Sequence, residues 1–256
     1  MILEADIGIG IYGKEGVRAA QASDFAIHKF KYLWQLIMYH GRYNYLRIAE
    51  LILYFFYKNI IFTIPQLYFA FISDFSAQSY FDDYYISFYN LFFTALPIGA
   101  RGLFEKDIDF KIYNDKEQRN QVKSLYHNLY YVGQRSLIFT RLNYVIWTGS
   151  GILQAFVIFI VHYYVFKDAI LTQGGYNGGH WLISISAFTS VIIIVNLRLM
   201  LTHRWLTLLN LLTILILSVC LFYVYTWFSN YMDYSYTYQT SKMLHETPLF
   251  YLTVFL

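Results

Sequence analysis

Long apolar runs separated by short polar stretches dominate the chain. The first lies between Glu50 and Asp74 and reads LILYFFYKNIIFTIPQLYFAFIS. At about 1.5 Å of rise per residue it covers the ~30 Å hydrocarbon layer of a bilayer, so it predicts a membrane-spanning helix. Together the runs predict five full spans, at roughly 46–72, 84–103, 145–166, 181–200 and 205–228. A sixth run begins near Pro248 and stops at Leu256. About ten residues are too few to cross as a helix, so a truncated span is expected there. The expected fold class is mostly α: a polytopic helical membrane protein.

Residues 1–30 follow another pattern. Ile7, Ile9 and Ile11 alternate with Gly8 and Gly10, as in a short buried strand. Gly13, Lys14, Glu15 and Gly16 read as a turn, Val17–Ala22 as a short helix and the segment around Phe25 as a second strand. Strand, turn, helix, strand predicts the end of an α/β domain. Thirty residues cannot bury a core of their own, so the chain is expected to be cut at both ends. Residues 31–45 are amphipathic and basic and predict a stalk leading into the membrane domain, 46–256. The polar stretch 104–142 is a long loop, either with structure of its own or a solvated linker.

Charge orients these elements. Six Lys or Arg precede the first span, eight lie between the second and third, and Arg198 and Arg204 flank the loop between the fourth and fifth. The alternate loops hold only Lys167 and Lys242. The positive-inside rule therefore places the N-terminus and the 104–142 loop in the cytosol, with 73–83, 167–180 and 229–247 on the far side. The chain is 57% hydrophobic and 14% charged, with a mean hydropathy of +0.39. Its net charge of +3 reflects this topology and is no nucleic-acid signal. Cys220 is the single cysteine, which excludes an intrachain disulfide. The 27 Tyr and 23 Phe are expected to fill lipid-facing and interfacial positions.

Lys58 is the residue that asks for chemistry. It stands inside the first span, eight residues or about 12 Å from Glu50. A Lys at such depth costs roughly 2.5–3.5 kcal/mol on insertion scales. Snorkelling to the cytosolic interface is the plain alternative, but the depth exceeds one side chain's reach. Lys58 with Asn59 would suit an anionic phosphate or carboxylate. Pro65 leaves the Ile61 carbonyl without its donor and is expected to break or kink the helix. On the next span Asn90, Thr94 and Pro97 share one face at i, i+4 and i+7, and Pro97 frees the Phe93 carbonyl. That face would oppose Lys58 or hold the two helices together. No Asp or Glu lies between Glu50 and Asp74 or between Asp83 and Glu105, which disfavours a cation site. His162 and His180 share no metal-ligand spacing and are expected at the interfaces. Gln154 and Asn196 are expected to serve helix packing. No metal site is predicted.

Several stretches resemble one family. ADIGIGIYGKEG followed by AAQASDFAI resembles the end of the phosphorylation domain of P-type ATPases. HGRYNYLRIAELILYFFYKNI resembles the stalk and fifth membrane helix of their phospholipid-translocating branch, and SFYNLFFTALPIGARGLFEKDID resembles the sixth. GQRSLIFT, Gly133–Thr140, is similar to the lead-in to the seventh. The resemblance implies a C-terminal piece of a lipid flippase: 1–30 the end of the phosphorylation domain, 31–45 the stalk, and 46–256 helices five to nine with the start of ten. It implies phospholipid moved toward the cytosolic leaflet and a Lys58–Asn59 pair that handles the headgroup. It also implies Mg and ATP bound by the parent enzyme through residues outside this chain, with no catalytic residue here. A two-span accessory subunit on the non-cytosolic loops is implied too, in an endomembrane or the plasma membrane. The alternatives are a non-catalytic truncated membrane protein or scaffold, and a cation pump of the same superfamily.

Overall fold

The computed structural model describes residues 4–13, 17–105, 107, 126–169, 179–232 and 236–255. Lys14, Glu15, Gly16 and most of the polar stretch after Glu105 lie outside them. The chain forms two compact units, residues 1–49 with 106–138, and 50–105 with 139–256.

In the first unit β1 (Ile9–Ile11) pairs in parallel with β2 (Phe25–Ile27), Ile9 opposite Phe25, with α1 (Arg18–Gln21) between them in sequence. The strand, helix and strand expected from the isoleucine–glycine alternation are therefore present. Gly10 is dictated by α1: a Cβ there would stand 2.6 Å from Ser23 Oγ and 2.8 Å from the Ala19 carbonyl. The Gly8 amide donates to Asp24 Oδ2 at 2.7 Å, closing the start of the strand onto the entry to β2. Gly13 follows, exposed. The chain then forms α2 (Tyr32–Gln35) and a wide-turned segment, Leu36–Gly41, before α3 (Arg42–Ile72) begins. Arg42 anchors that start: its Nε pairs with Asp107 Oδ2 at 2.9 Å, and its Nη1 donates to the Leu129 carbonyl of α6 (Tyr126–Gln134) at 2.8 Å.

The second unit is helical. Among the described residues four uninterrupted helices are long and apolar enough to cross a membrane: Tyr32–Ile72, which includes α3; α7 (Arg141–Phe166); α8 (Gly179–Thr202); and Leu208–Ser229. The last consists of α9 (Leu208–Ile214), a wide-turned segment Leu215–Cys220, and α10 (Leu221–Ser229). The expected span at 84–103 is instead three pieces. These are α4 (Asp83–Phe88), a wide-turned segment Tyr89–Phe93, and α5 (Ala95–Phe104), parted by Thr94 at φ −125°. Pro97 explains the break, because it lacks an amide for the Phe93 carbonyl and its ring crowds that carbonyl. Pro65 does not break α3, contrary to expectation. Buried Ile61, Phe62 and Phe69 hold the helix on both sides of it, and membrane helices tolerate proline where neighbours take up the strain. The chain then forms α11 (Thr240–His245) and α12 (Pro248–Phe255), the short helix expected at the end.

The central element is α8, buried almost continuously from Leu182 to Ile192. Phe188 on it stands 5.2 Å from Phe81, 5.1 Å from Tyr85 and 5.7 Å from Phe222, mostly edge-to-face. Part of the aromatic content therefore forms the core, where edge-on rings interdigitate tightly, while many other Phe, Tyr and Trp side chains stay on the outer surface. His162 is likewise no interfacial residue: it is 2% exposed, with Nδ1 2.7 Å from the Ile158 carbonyl and Nε2 3.0 Å from Ser190 Oγ. Because the carbonyl only accepts, Nδ1 carries the proton and Ser190 donates to Nε2. Gly151 brings α7 close to α3, where a Cβ would lie 3.2 Å from Ile60 Cγ2 and 3.3 Å from the Tyr57 ring.

Candidate functional site

Lys58 is 2% exposed, and its ammonium is held by the neighbouring span. Nζ donates to Thr94 Oγ1 at 2.8 Å and to Asn90 Oδ1 at 3.1 Å. The two helices are locked again by the Tyr89 hydroxyl, which donates to the Lys58 carbonyl at 2.8 Å. Nζ also lies 5.2 Å from the Phe55 ring and 5.7 Å from the Tyr89 ring, where the negative faces of the rings favour a cation. The expected face of Asn90 and Thr94 thus meets Lys58. It does so across a wide turn rather than a regular α turn. Both the amide and the hydroxyl of Thr94 bond the Tyr89 carbonyl, five residues back, at 3.1 and 2.7 Å. Pro97 sits buried one turn beyond.

Asn59 does not join this group. It is one position on, about 100° round the helix, and its side chain makes no hydrogen bond to Lys58, Asn90 or Thr94. Tyr89 and Phe55 were missed as members. Their signal was their spacing, Tyr89 next to Asn90 and Phe55 three residues before Lys58. Asn90 and Phe55 are both exposed while Lys58 itself is buried, so the ammonium is enclosed, with Thr94 and Tyr89 on one side and the exposed Phe55 and Asn90 on the other. Gln154 and Asn196 are packing groups as expected, Asn196 buried and Gln154 half-buried with its Oε1 accepting from the Tyr57 hydroxyl.

A second polar group lies about two turns toward the N-terminal end of α3. Arg101, taken from sequence as an orienting surface charge, is buried. Its Nη2 pairs with Glu50 Oε2 at 2.5 Å and donates to the Thr202 carbonyl at 3.1 Å. Its Nε pairs with Glu105 Oε2 at 2.9 Å, and its Nη1 donates to Thr202 Oγ1 at 2.8 Å. Arg204 adds a bond from Nη2 to Glu50 Oε1 at 2.8 Å, and its amide donates to Glu105 Oε1 at 2.8 Å. His203 Nδ1 stands 2.9 Å from Glu105 Oε2. The cluster ties α3, α5 and the loop after α8 together.

Glu105 lies just past the end of α5, outside the apolar run. Burial raises its pKa, but the His203 ring, the Arg204 amide and the Arg101 guanidinium outweigh that and hold it at about 2. A carboxylate depressed in this way stabilises the fold above its ordinary value of 4.5, and the contribution disappears as the pH falls toward 2. Thermal melts of Glu105→Gln against the parent chain should therefore differ most above pH 4.5 and converge toward pH 2. A constant gap across that range would exclude this origin.

On the opposite side, His180 Nε2 lies 3.0 Å from the Ser79 carbonyl, and the Tyr80 amide donates to Gln66 Oε1 at 2.9 Å. These bonds border a cavity of about 850 Å³ reached by Lys167, Trp181 and Tyr236. Asp82 caps α4, accepting from the Tyr84 amide at 2.9 Å, and burial raises its pKa. Among the described residues no three His, Cys, Asp or Glu side chains come together as a metal ion would need.

Residues 20–256 match a family described as the phospholipid-translocating P-type ATPase C-terminal region. Similar curated proteins include mouse phospholipid-transporting ATPase IH, 38% identical over 80% of this chain and 16% of that protein. Human phospholipid-transporting ATPase ID is 37% identical over 82% of the chain and 16% of its own length. The probable phospholipid-transporting ATPase 4 of Arabidopsis thaliana is 36% identical over 79% of the chain and 16% of its own length. The matched region is about a sixth of these relatives.

Proposed function

The chain belongs to the phospholipid-translocating P-type ATPases, and from that premise we propose that it forms the C-terminal membrane part of an ATP-driven flippase. Lys58, Thr94 and Asn90 engage the phospholipid headgroup as it passes toward the cytosolic leaflet. The observation that carries the reading is a buried ammonium held by neutral oxygens and rings, with no Asp or Glu in the sequence between Glu50 and Asp74 or between Asp83 and Glu105. Such a cation lacks a counter-charge, and a phosphate or carboxylate of a headgroup supplies one. Thr94 and Asn90 can release Nζ to the incoming anion and take it back when the headgroup leaves. The exposed side chains of Phe55 and Asn90 move aside to let the headgroup reach the enclosed ammonium, while the acyl chains stay in lipid. Asn59 stands close enough along α3 to meet a headgroup, but not as part of the resting group.

In this reading residues 1–30 are the end of the phosphorylation domain, with Gly8 and Gly10 at its first closing strand, and 31–45 are the stalk. ATP and Mg act in the parent enzyme through residues outside this chain, where they supply the phosphoryl transfer that moves the stalk. The described residues hold no fitting metal group, and no step is assigned to them. The N-terminus faces the cytosol, and a two-span accessory subunit docks on the non-cytosolic loops, in an endomembrane or the plasma membrane.

Two experiments test this. Residues 1–256 expressed alone should show no Mg-ATP turnover; robust turnover by that chain would refute the division of labour. The intact ATPase reconstituted in vesicles should move labelled phospholipid between leaflets in an ATP-dependent way. ATP-dependent uptake of an alkali or alkaline-earth cation without lipid transfer would place the chain among cation pumps instead.

A further inference from the structure

We infer that Ser218 is a positioning residue for this pathway: its hydroxyl latches the Phe93 carbonyl and so holds the wide turn that aims Asn90 and Thr94 at Lys58. The inference rests on the reading of Lys58 given above.

It begins with Pro97. A proline amide cannot donate, so the Phe93 carbonyl has no helical partner, and it lies inside the apolar core, where an unmet carbonyl is costly. Phe93 is 1% exposed. The group that meets its carbonyl is the hydroxyl of Ser218, which is fully buried and comes from another span, 125 residues away in sequence. The direction of that hydroxyl is fixed by Asn196. The Asn196 amide nitrogen donates to the Ile192 carbonyl at 2.8 Å and to Ser218 Oγ at 2.7 Å. A carbonyl only accepts, so the nitrogen, not the oxygen, of the Asn196 amide faces Ile192. With its lone pair taken by Asn196, Ser218 has one proton to give and one carbonyl to receive it. The result is a directed relay from Asn196 on α8, through Ser218, to Phe93.

The relay joins two irregular stretches. Ser218 lies in the wide-turned segment Leu215–Cys220, and Phe93 ends the wide-turned segment Tyr89–Phe93; the two pack against each other. The latch matters for the site because of what the wide turn does to Thr94. Its amide and hydroxyl both return to the Tyr89 carbonyl, which leaves the Thr94 oxygen facing Lys58 Nζ. A wide turn carries one residue more than an α turn, and one residue is about 100° of rotation. If the segment relaxed to a regular α turn, Asn90 and Thr94 would still share a face, but the Tyr89 carbonyl would lose both Thr94 bonds and that face would turn relative to α5 and to Lys58. Ser218 touches neither Lys58 nor a headgroup, so it acts only through this geometry.

The test uses the intact ATPase in phospholipid vesicles, with Ser218→Ala, Ser218→Thr and Lys58→Ala. The readout is the phospholipid concentration that half-stimulates ATP hydrolysis, normalised to phosphoenzyme formed from ATP, so that misfolded protein is not counted. Loss of one buried hydrogen bond should raise that concentration roughly three- to tenfold in Ser218→Ala. The maximal rate per phosphoenzyme should change less than about twofold. Ser218→Thr, which keeps the hydroxyl, should stay near the unmodified enzyme. A purely structural serine would lower the amount of phosphoenzyme and leave the half-stimulating concentration alone; that result overturns the latch. So does an equal shift in Ser218→Thr. If Lys58→Ala shifts the concentration and Ser218→Ala does not, the latch alone fails. If Lys58→Ala leaves it unchanged, the headgroup reading fails and takes the latch with it.

Discussion

Replacing Lys58 by alanine should raise the phospholipid concentration needed for half-maximal ATPase stimulation about 10- to 100-fold. The size follows from charge-assisted hydrogen bonds, worth roughly 1.5–3 kcal/mol, at about 1.4 kcal/mol per tenfold. The phosphoenzyme should still form, because in the proposed division of labour phosphorylation and nucleotide binding lie outside this chain. The loss should be electrostatic in origin. Lys58→Met keeps the length and apolar stem and removes the charge, so it should behave like the alanine variant. A headgroup held by shape alone would leave Lys58→Met close to the unmodified enzyme, and that outcome would exclude an ionic role. The effect has a second face: Thr94 Oγ1 and Asn90 Oδ1 lose their donor, so the variant should not be more stable merely because an intramembrane charge is gone.

Arg101→Leu should be the most destabilising single change among the charged residues described. Arg101 serves three partners at once, and its removal leaves Glu50 and Glu105 without their main counter-charge at side-chain exposures of 19% and 8%. Breaking a buried pair on one side typically costs about 3–5 kcal/mol, whereas removing both charges together is often nearly neutral. The triple change Arg101→Leu with Glu50→Gln and Glu105→Gln should therefore recover much of the loss. Thermal unfolding of the detergent-solubilised chain measures both. If the triple variant is less stable than Arg101→Leu alone, the carboxylates are not stranded and the cluster has been misassigned. The cluster also bears on the lipid pathway. Glu50 and Arg101 stand two helical turns from Lys58 and Thr94 on the same two elements, α3 and α5 with its lead-in. The cluster thus fixes the spacing of the helices that carry the site.

How far the sequence could be read differs among these groups for physical reasons. Lys58 was visible because a charge in an apolar run carries a known cost. Asn90 and Thr94 were visible because their spacing put them on one face, and both reach Nζ. Adjacency misled for Asn59, since neighbours on a helix point about 100° apart. The two prolines had the same local signal and different outcomes. Pro97 lies where three helical pieces meet, and Pro65 lies in a long helix clamped by packing, so context decided which one broke the chain. Arg101 was misread because a charge count treats every Arg near a span end as solvated, while its partners Glu50 and Thr202 are 51 and 101 residues away. Ser218 gave no signal at all. A hydroxyl in an apolar helix usually bonds its own preceding turn, as Ser186 and Thr226 do here, and only the fold shows which serine instead reaches another helix. The abundant aromatics divide between the outer surface, as expected, and a buried cluster around Phe188 that composition could not show because it carries no direction.

The central claim is that Lys58 meets the headgroup. The most direct measurement is a structure of the intact ATPase caught with phospholipid in its membrane domain. A headgroup phosphate or carboxylate oxygen should lie within hydrogen-bond distance of Lys58 Nζ, on the side of Phe55 and Asn90. A bound headgroup elsewhere, with Nζ still donating to Thr94 and Asn90, would contradict the claim.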